Sequence, residues 1–399
     1  MVPEGWFATQ LGDCATFQSG GTPSKENASF WGGDIPWVSA KDLKQHYING
    51  AQDHLTDLGA SQAKIAAPNS VLMLVRGMTL MKDIPIGFVK RPVAFNQDVK
   101  ALVANKGIDP LFLSYLLVGK KLTIMGLVNT ANHGTGRLDT DLVRALPLDL
   151  PPLAEQQKIA EILSVWDKAI ETTEALLANA RTQKRALMQS LLTGTRRFPG
   201  FEVQPWREVR LGDIGKTISG GTPESENSAY WEGDIRWATP TDITKLKSRF
   251  ICSTARMITE AGLKASAAKL VPKGAILVCT RATIGEVAIS TGPICTNQGF
   301  KNIVLNGGYD ADFVYYLLQF FKKDLIRYAC GSTFLEISKA DFDKRAFRFP
   351  TLAEQIRIAE ALNAIEEEID EHRLVADHLR TEKKALMQQL LTGKRRVVV

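Results

Sequence analysis

The sequence lacks the marks of several large protein classes. No apolar stretch approaches the roughly 18 residues that a membrane-spanning helix requires, and the opening Met1-Val-Pro-Glu-Gly5 carries no charged and apolar leader. Cysteine is scarce: Cys14, Cys252, Cys279, Cys295 and Cys330 are odd in number and form no CxxC pair. That excludes a disulfide framework and a zinc ribbon. A soluble chain in a reducing cytoplasm is expected. Charge of one sign is not in large excess either. The formal net charge is +6; residues 1–150 hold 14 Lys and Arg against 13 Asp and Glu, and residues 207–349 hold 20 against 15. Such a surplus permits nucleic-acid binding without establishing it, so the first half must use local basic patches or a partner's affinity.

What the chain has is duplication. Leu11-Gly12-Asp13, Ser19-Gly20-Gly21-Thr22-Pro23 and Trp31…Gly33-Asp34-Ile35…Trp37 return as Leu211-Gly212-Asp213, Ser219 to Pro223 and Trp231…Gly233-Asp234-Ile235…Trp237. A second echo links Leu153-Ala-Glu-Gln156, Lys184 to Gln189 and Leu191-Leu-Thr-Gly194 with Leu352 to Gln355, Lys383 to Gln388 and Leu390 to Gly393. A chain of 399 residues is too long for one ordinary core. The repeat supplies a division into 1–150, 151–194, a linker 195–206, then 207–349, 350–393 and a basic and apolar tail 394–399. A pseudo-twofold internal repeat suggests a binding partner with two related halves.

Within each globular half the pattern is mixed α and β. Val71 to Val75, Lys100 to Ala104, Ala275 to Cys279 and Lys301 to Leu305 are strand-like. Pro110 to Lys121 and Ala311 to Lys323 are helical. The sharpest periodicity lies in the two repeated segments. Stepping four and three from Ile159 selects Leu163, Trp166, Ile170, Thr173, Leu177, Ala180, Lys184, Leu187 and Leu191. Adding 199 selects Ile358, Leu362, Ile365, Ile369, His372, Ala376, Leu379, Lys383, Leu386 and Leu390, and eight of ten positions are apolar in each set. This is a coiled-coil seam. Thr173, His372, Lys184 and Lys383 interrupt it at matching places and act as register residues; His372 has no second metal ligand at helical spacing. Pro151-Pro152, a Thr351-x-x-Glu354 capping box, and Gly194 and Gly393 mark the ends. A helix of about 40 residues is about 60 Å long, and only a short linker follows the first one. The second must start near where the first ended, so the pair is expected to run antiparallel, with the globular halves at opposite ends of a stiff spacer.

The Ser-Gly-Gly-Thr-Pro…Trp-x-Gly-Asp-Ile-x-Trp block, the Leu-Ala-Glu-Gln helix entry and the Leu-Met-Gln-x-Leu-Leu-Thr-Gly exit, each present twice, resemble the specificity subunit of type I restriction-modification systems over nearly the whole chain. The resemblance implies an α+β fold: two mixed α/β target recognition domains separated by two long antiparallel coiled-coil helices. It also implies double-stranded DNA, two modification (methyltransferase) subunits and restriction (endonuclease and translocase) subunits as partners. No cofactor is expected on this chain; S-adenosylmethionine is expected on the methyltransferase partner. Rods of about 60 Å correspond to about 18 base pairs, and readers on one face of DNA sit about one turn, or a multiple, apart. An asymmetric bipartite target is the expectation, with one half-site per domain. The rivals are a stand-alone duplicated DNA-modifying enzyme and a non-DNA-binding assembly scaffold.

Candidate DNA contacts follow from chemistry. Arg and Lys favour guanine, and Asn and Gln favour adenine. Arg76 and Arg281 end strand-like runs, and Asn96, Gln97 and Lys100 are matched by Asn297, Gln298 and Lys301. His133, Thr135 and Arg137, together with Ser332 and Thr333, lie in small-residue loops suited to close approach to phosphate. Thr22, Lys25 and Thr222 belong to the Gly-Gly-Thr-Pro loops. Trp31, Trp37, Trp231 and Trp237 fit the core better than a stacking platform, because duplex DNA offers no free base faces. No catalytic residue and no metal ligand emerges. Gly215-Lys-Thr217 has Arg210 where a phosphate loop needs its upstream glycine. Asp98-Val-Lys100 becomes Gly299-Phe-Lys301 in the second copy, without an acid. Leu150-Pro-Pro-Leu153 lacks the polar residue of an amino-methyltransferase site.

Overall fold

The computed structural model describes residues 2–131, 134–329 and 335–398, which leaves Cys330 and the candidates His133, Ser332 and Thr333 outside. The chain is α+β and uses one fold twice, in two compact units: residues 1–173 with 375–399, and residues 174–374. Among the described residues no helix is long and apolar enough to cross a membrane.

In the first unit a five-stranded sheet has the order Ala15–Ser19, Val99–Ala104, Val71–Leu74, Ile86–Val89, Tyr47–Ile48. All four residues of Val71–Leu74 are buried, as expected of an unbroken apolar run with both faces covered. A second sheet contains Asp53–Leu55, Trp31–Val38, Val93–Phe95 and Ile65–Ala66. The Pro110–Gly119 helix packs on the five-stranded sheet, capped by Asp109, whose carboxylate accepts from Phe112 N at 2.8 Å, and begun by Pro110 at its first position. The helical pattern read to Lys121 breaks at Lys120, and a separate short helix, Lys121–Met125, follows.

The second unit repeats this order: Gly215–Ser219, Phe300–Leu305, Ile276–Cys279, Val287–Ser290, Phe250–Ile251 in one sheet, and Arg256–Ile258, Trp231–Ala238, Cys295–Thr296 in the other. Asp310 caps Ala311–Phe320 through Phe313 N at 2.8 Å.

The long helices span Leu153–Leu192 and Leu352–Leu390. None of the twenty seam positions is exposed, whereas most of the residues between them are. In the first unit Ile159, Ala160 and Leu163, from the start of the first helix, share a core with Leu390 and Leu391 from the end of the second. In the second unit Leu191 and Leu192 share one with Ile358 and Leu362, while Ala180 packs with Ile365 and Ile369. Each unit therefore contains the helices running antiparallel. The register positions carry ion pairs: Lys383 with Asp167 in the first unit and Lys184 with Glu366 in the second. Thr173 Oγ1 donates to Ala169 O at 2.8 Å, and His372 Nε2 lies 3.5 Å from Glu368 Oε1.

The repeated Glu-Gln at each helix entry is a docking device. Gln156 donates to Pro151 O at 2.9 Å and accepts from Asp109 N at 2.9 Å; Gln355 does the same with Pro350 O and Asp310 N, at 3.0 Å each. The capping box expected at Thr351 and Glu354 gives way to a stronger partner. The Glu354 carboxylate accepts from Arg197 Nε and Nη2 and from Trp206 Nε1. Glu155 is held in the same way by Arg396, so the segments read as a linker and a tail both close back on the start of a long helix.

Candidate nucleic-acid interface

The Gly-Gly-Thr-Pro loops are held by the same hydrogen bonds in both copies. Trp37 Nε1 donates to Gly21 O at 3.1 Å and Trp31 Nε1 to Ser24 O at 3.0 Å; Trp237 and Trp231 donate to Gly221 O and Glu224 O at 2.9 and 3.0 Å. Within each pair the rings meet edge to face, 5.2 and 5.0 Å apart. These tryptophans pin loops and do not offer open faces. Gly20 and Gly220 are required by close approach, since a Cβ would lie 2.2 Å from Asn96 O in one and 2.0 Å from Asn297 O in the other. Pinned this way, the exposed Thr22 and Thr222 donate to the exposed Gln97 and Gln298. Lys25 is exposed, with Nζ 5.9 Å from the centre of the Trp37 ring.

The remaining candidates divide between surface and interior. Asn96 is 8% exposed and spends its side chain on Asp98, donating from Nδ2 at 3.3 Å and accepting from the Asp98 N–H at 3.2 Å. Asn297 is half-buried, and its Oδ1 accepts from Gly299 N at 2.9 Å. Both asparagines shape their own turns. Lys100 donates to Ser19 Oγ at 2.5 Å and remains partly exposed. Lys301 is only 5% exposed and lies 3.7 Å from Glu336; burial pulls its ammonium below the usual lysine range, with Glu336 opposing. Arg281 forms a backbone bridge to Glu336 and lines a groove of about 860 Å³ with Asn297, Gln298, Thr239 and Thr241. In the first unit Arg76 and Arg137 are exposed and directly paired across two strands, next to half-buried Thr135.

The structure thus gathers three polar groups of candidates: Thr22, Lys25 and Gln97 at one pinned loop, Thr222 and Gln298 at the other, and Arg76, Thr135 and Arg137 on a short sheet. Two neighbours of these residues were not among the sequence candidates. Asn129 is exposed and lies beside Arg137 in that sheet, and Glu336 occupies the matching place in the second unit. Neither belongs to a motif shared by the two copies or to a glycine-rich loop, the two features that mark the candidates in the sequence. Among the described residues no cluster of His, Cys, Asp and Glu could hold a metal ion.

A family model described as the type I restriction modification DNA specificity domain matches residues 3–180 and again residues 204–376. The chain is 36% identical to the type I restriction enzyme MjaIX specificity subunit of Methanocaldococcus jannaschii over 169 residues, 41% of this chain. That alignment spans only 39% of the relative's own length. The putative type I restriction enzyme MjaX specificity subunit of the same organism is 27% identical over 419 aligned positions, covering 99% of this chain and 95% of the relative. Among solved structures, a type I restriction-modification S subunit from M. genitalium superposes with a TM-score of 0.63 at 16% identity, covering 98% of this chain and 99% of that one. This likeness speaks for the fold alone.

Proposed function

Because the chain belongs to the type I restriction-modification DNA specificity family, we propose that it is the non-catalytic, sequence-reading subunit of such a complex. In this reading each unit recognises one half of an asymmetric, bipartite duplex target. The two long helices set the separation of the half-sites and hold two methyltransferase subunits, and restriction subunits join for cleavage. S-adenosylmethionine belongs to the methyltransferase partner, and the complex works in the cytoplasm.

The observation that carries this reading is a shared scaffold with unshared surface. The pinned Gly-Gly-Thr-Pro loops and the Gln156 and Gln355 docks recur with the same hydrogen bonds. Other positions differ: exposed Arg137 in one copy stands where half-buried Glu336 stands in the other. One framework carrying two different sets of polar groups is what two unlike half-sites require.

The test is a footprint of the complex reconstituted with its methyltransferase, together with an exchange of residues 1–150 for those of another family member. The exchange is expected to alter one half-site and leave the other. Alteration of both would reject modular reading. Methyl transfer to DNA by the purified chain alone, without a partner, would favour a self-sufficient enzyme instead. Absence of salt-dependent DNA affinity with the methyltransferase supplied would favour a scaffold.

A further inference from the structure

Three strands of the first unit, Val128–Ala131, Thr135–Leu138 and Arg76–Gly77, form a small antiparallel sheet whose register sets Asn129 opposite Arg137 and Arg137 opposite Arg76. Directly opposed residues share one face, with Cβ atoms roughly 4.5–5.5 Å apart. Gly136 and Leu138, the neighbours of Arg137, are buried, while Asn129, Arg137 and Arg76 are exposed, so the rung faces solvent. Among the described residues neither guanidinium has an ion-pair or hydrogen-bond partner. Like charges opposed across strands are destabilising. Folding alone gives no reason for this pairing, but an anion between the two forks would relieve it.

The second unit shows the same place with the charge reversed. Val99 pairs with Leu74 as Phe300 pairs with Cys279, so Arg281, two residues past Cys279, stands where Arg76 stands past Leu74. The backbone partner of Arg281 is Glu336, which therefore occupies the position of Arg137. Glu336 also lies 3.7 Å from Lys301, the counterpart of Lys100.

We propose that the Asn129–Arg137–Arg76 rung seats phosphate oxygens of the DNA backbone against the first unit, and that Glu336 abolishes the equivalent grip in the second. This rests on the DNA-reading function above and adds a division of labour to it. At this rung the first unit has a sequence-independent, salt-sensitive contact that the second lacks. Guanine O6 and N7 offer the same acceptor pattern as a phosphate, so the test must separate these two sources.

The experiment measures binding of the reconstituted complex to a duplex target between 50 and 300 mM salt, for the parent and for R76A, R137A, R137K and E336R. Losing one guanidinium is expected to weaken binding about tenfold and to lower the slope of log affinity against log salt by about 0.9. The loss should be equal for the target and for single-base variants of its first half-site. R137K should keep the parental slope, and E336R should steepen it by about 0.9. A loss confined to one G·C pair with an unchanged slope would overturn the phosphate assignment in favour of a base edge. Parental affinity and slope in R137A would overturn the rung as a contact altogether. If the parent complex bound no DNA, the functional reading beneath the proposal would fall first and the proposal with it.

Discussion

Arg197 places Nε and Nη2 at 2.9 and 2.6 Å from the two carboxylate oxygens of Glu354, a side chain with no solvent exposure. The pair joins the segment after the first long helix to the first turn of the second. Removing one member of a buried pair leaves the other charge desolvated and uncompensated, which typically costs about 3 kcal/mol or more. Arg197→Ala is therefore expected to lower stability by about 3 kcal/mol in denaturant titration. Glu354→Gln should cost less, because an amide oxygen can still accept from Arg197 and Trp206, and the guanidinium it leaves without a counter-charge is 15% exposed and keeps its bonds to Glu202 O and Gln204 O. Equal losses would mean that the charge is not what matters.

His46 provides a pH dependence. Its ring stacks on Tyr115 with centroids 4.7 Å apart, and Nε2 is 3.2 Å from Ser114 Oγ. Burial holds its pKa down at about 4, with Lys383 and Lys121 acting in the same direction and Asp167 opposing them. An unfolded histidine titrates near 6.5, so between about pH 6.5 and 4 the unfolded chain binds a proton that the folded chain refuses. Stability should be fully present above 6.5 and fall by roughly 3 kcal/mol as pH drops to 4. His46→Gln should flatten the stability profile across this window. An unchanged profile would show that other groups set it.

The seam was legible because it is local. A spacing of four and three from Ile159 to Leu191 needs only the helix period, and none of those positions is exposed. The strands Val71–Leu74 and Ile276–Cys279 were legible for a similar reason, as apolar runs covered on both faces. What stayed hidden depends on contacts far apart in sequence. Glu354 looks like half of a capping box until Arg197 arrives from 157 residues away. Lys100 and Lys301 occupy the same place in the same motif, yet one is partly exposed and the other buried beside Glu336. Nothing near either lysine in the sequence foretells the difference. Motifs that recur in both copies mark the shared scaffold; Asn129 and Glu336 lie where the copies differ, and no local motif marks them.

The register lysines allow a coupling measurement. Lys383 reaches Asp167, which also accepts from Tyr115 Oη at 2.5 Å, and both charged side chains are less than one-fifth exposed. A double-mutant cycle with Lys383→Met and Asp167→Asn should give a favourable coupling of about 1–3 kcal/mol, as for groups in one network. The single Lys383→Met change should be the more damaging, because it leaves a carboxylate beside a buried tyrosine. Zero coupling would show that the two residues act independently in fixing the helix register.

The glycines that end the long helices separate backbone strain from crowding. Both are left-handed, Gly194 at φ +72° and Gly393 at φ +66°, so alanine at either position should cost about 1 kcal/mol from the backbone alone. A Cβ on Gly194 would meet Trp206 at 3.4 Å, close to an ordinary contact, whereas one on Gly393 would lie 2.5 Å from Pro3 Cγ. Gly393→Ala must therefore also displace Pro3, and should lower the melting temperature more than Gly194→Ala does. In a Pro3→Gly background, which carries its own entropic cost, Gly393→Ala should lower the melting temperature by no more than Gly194→Ala does in the parent. If Gly393→Ala costs as much in that background as in the parent, crowding by Pro3 is not the source of the extra loss.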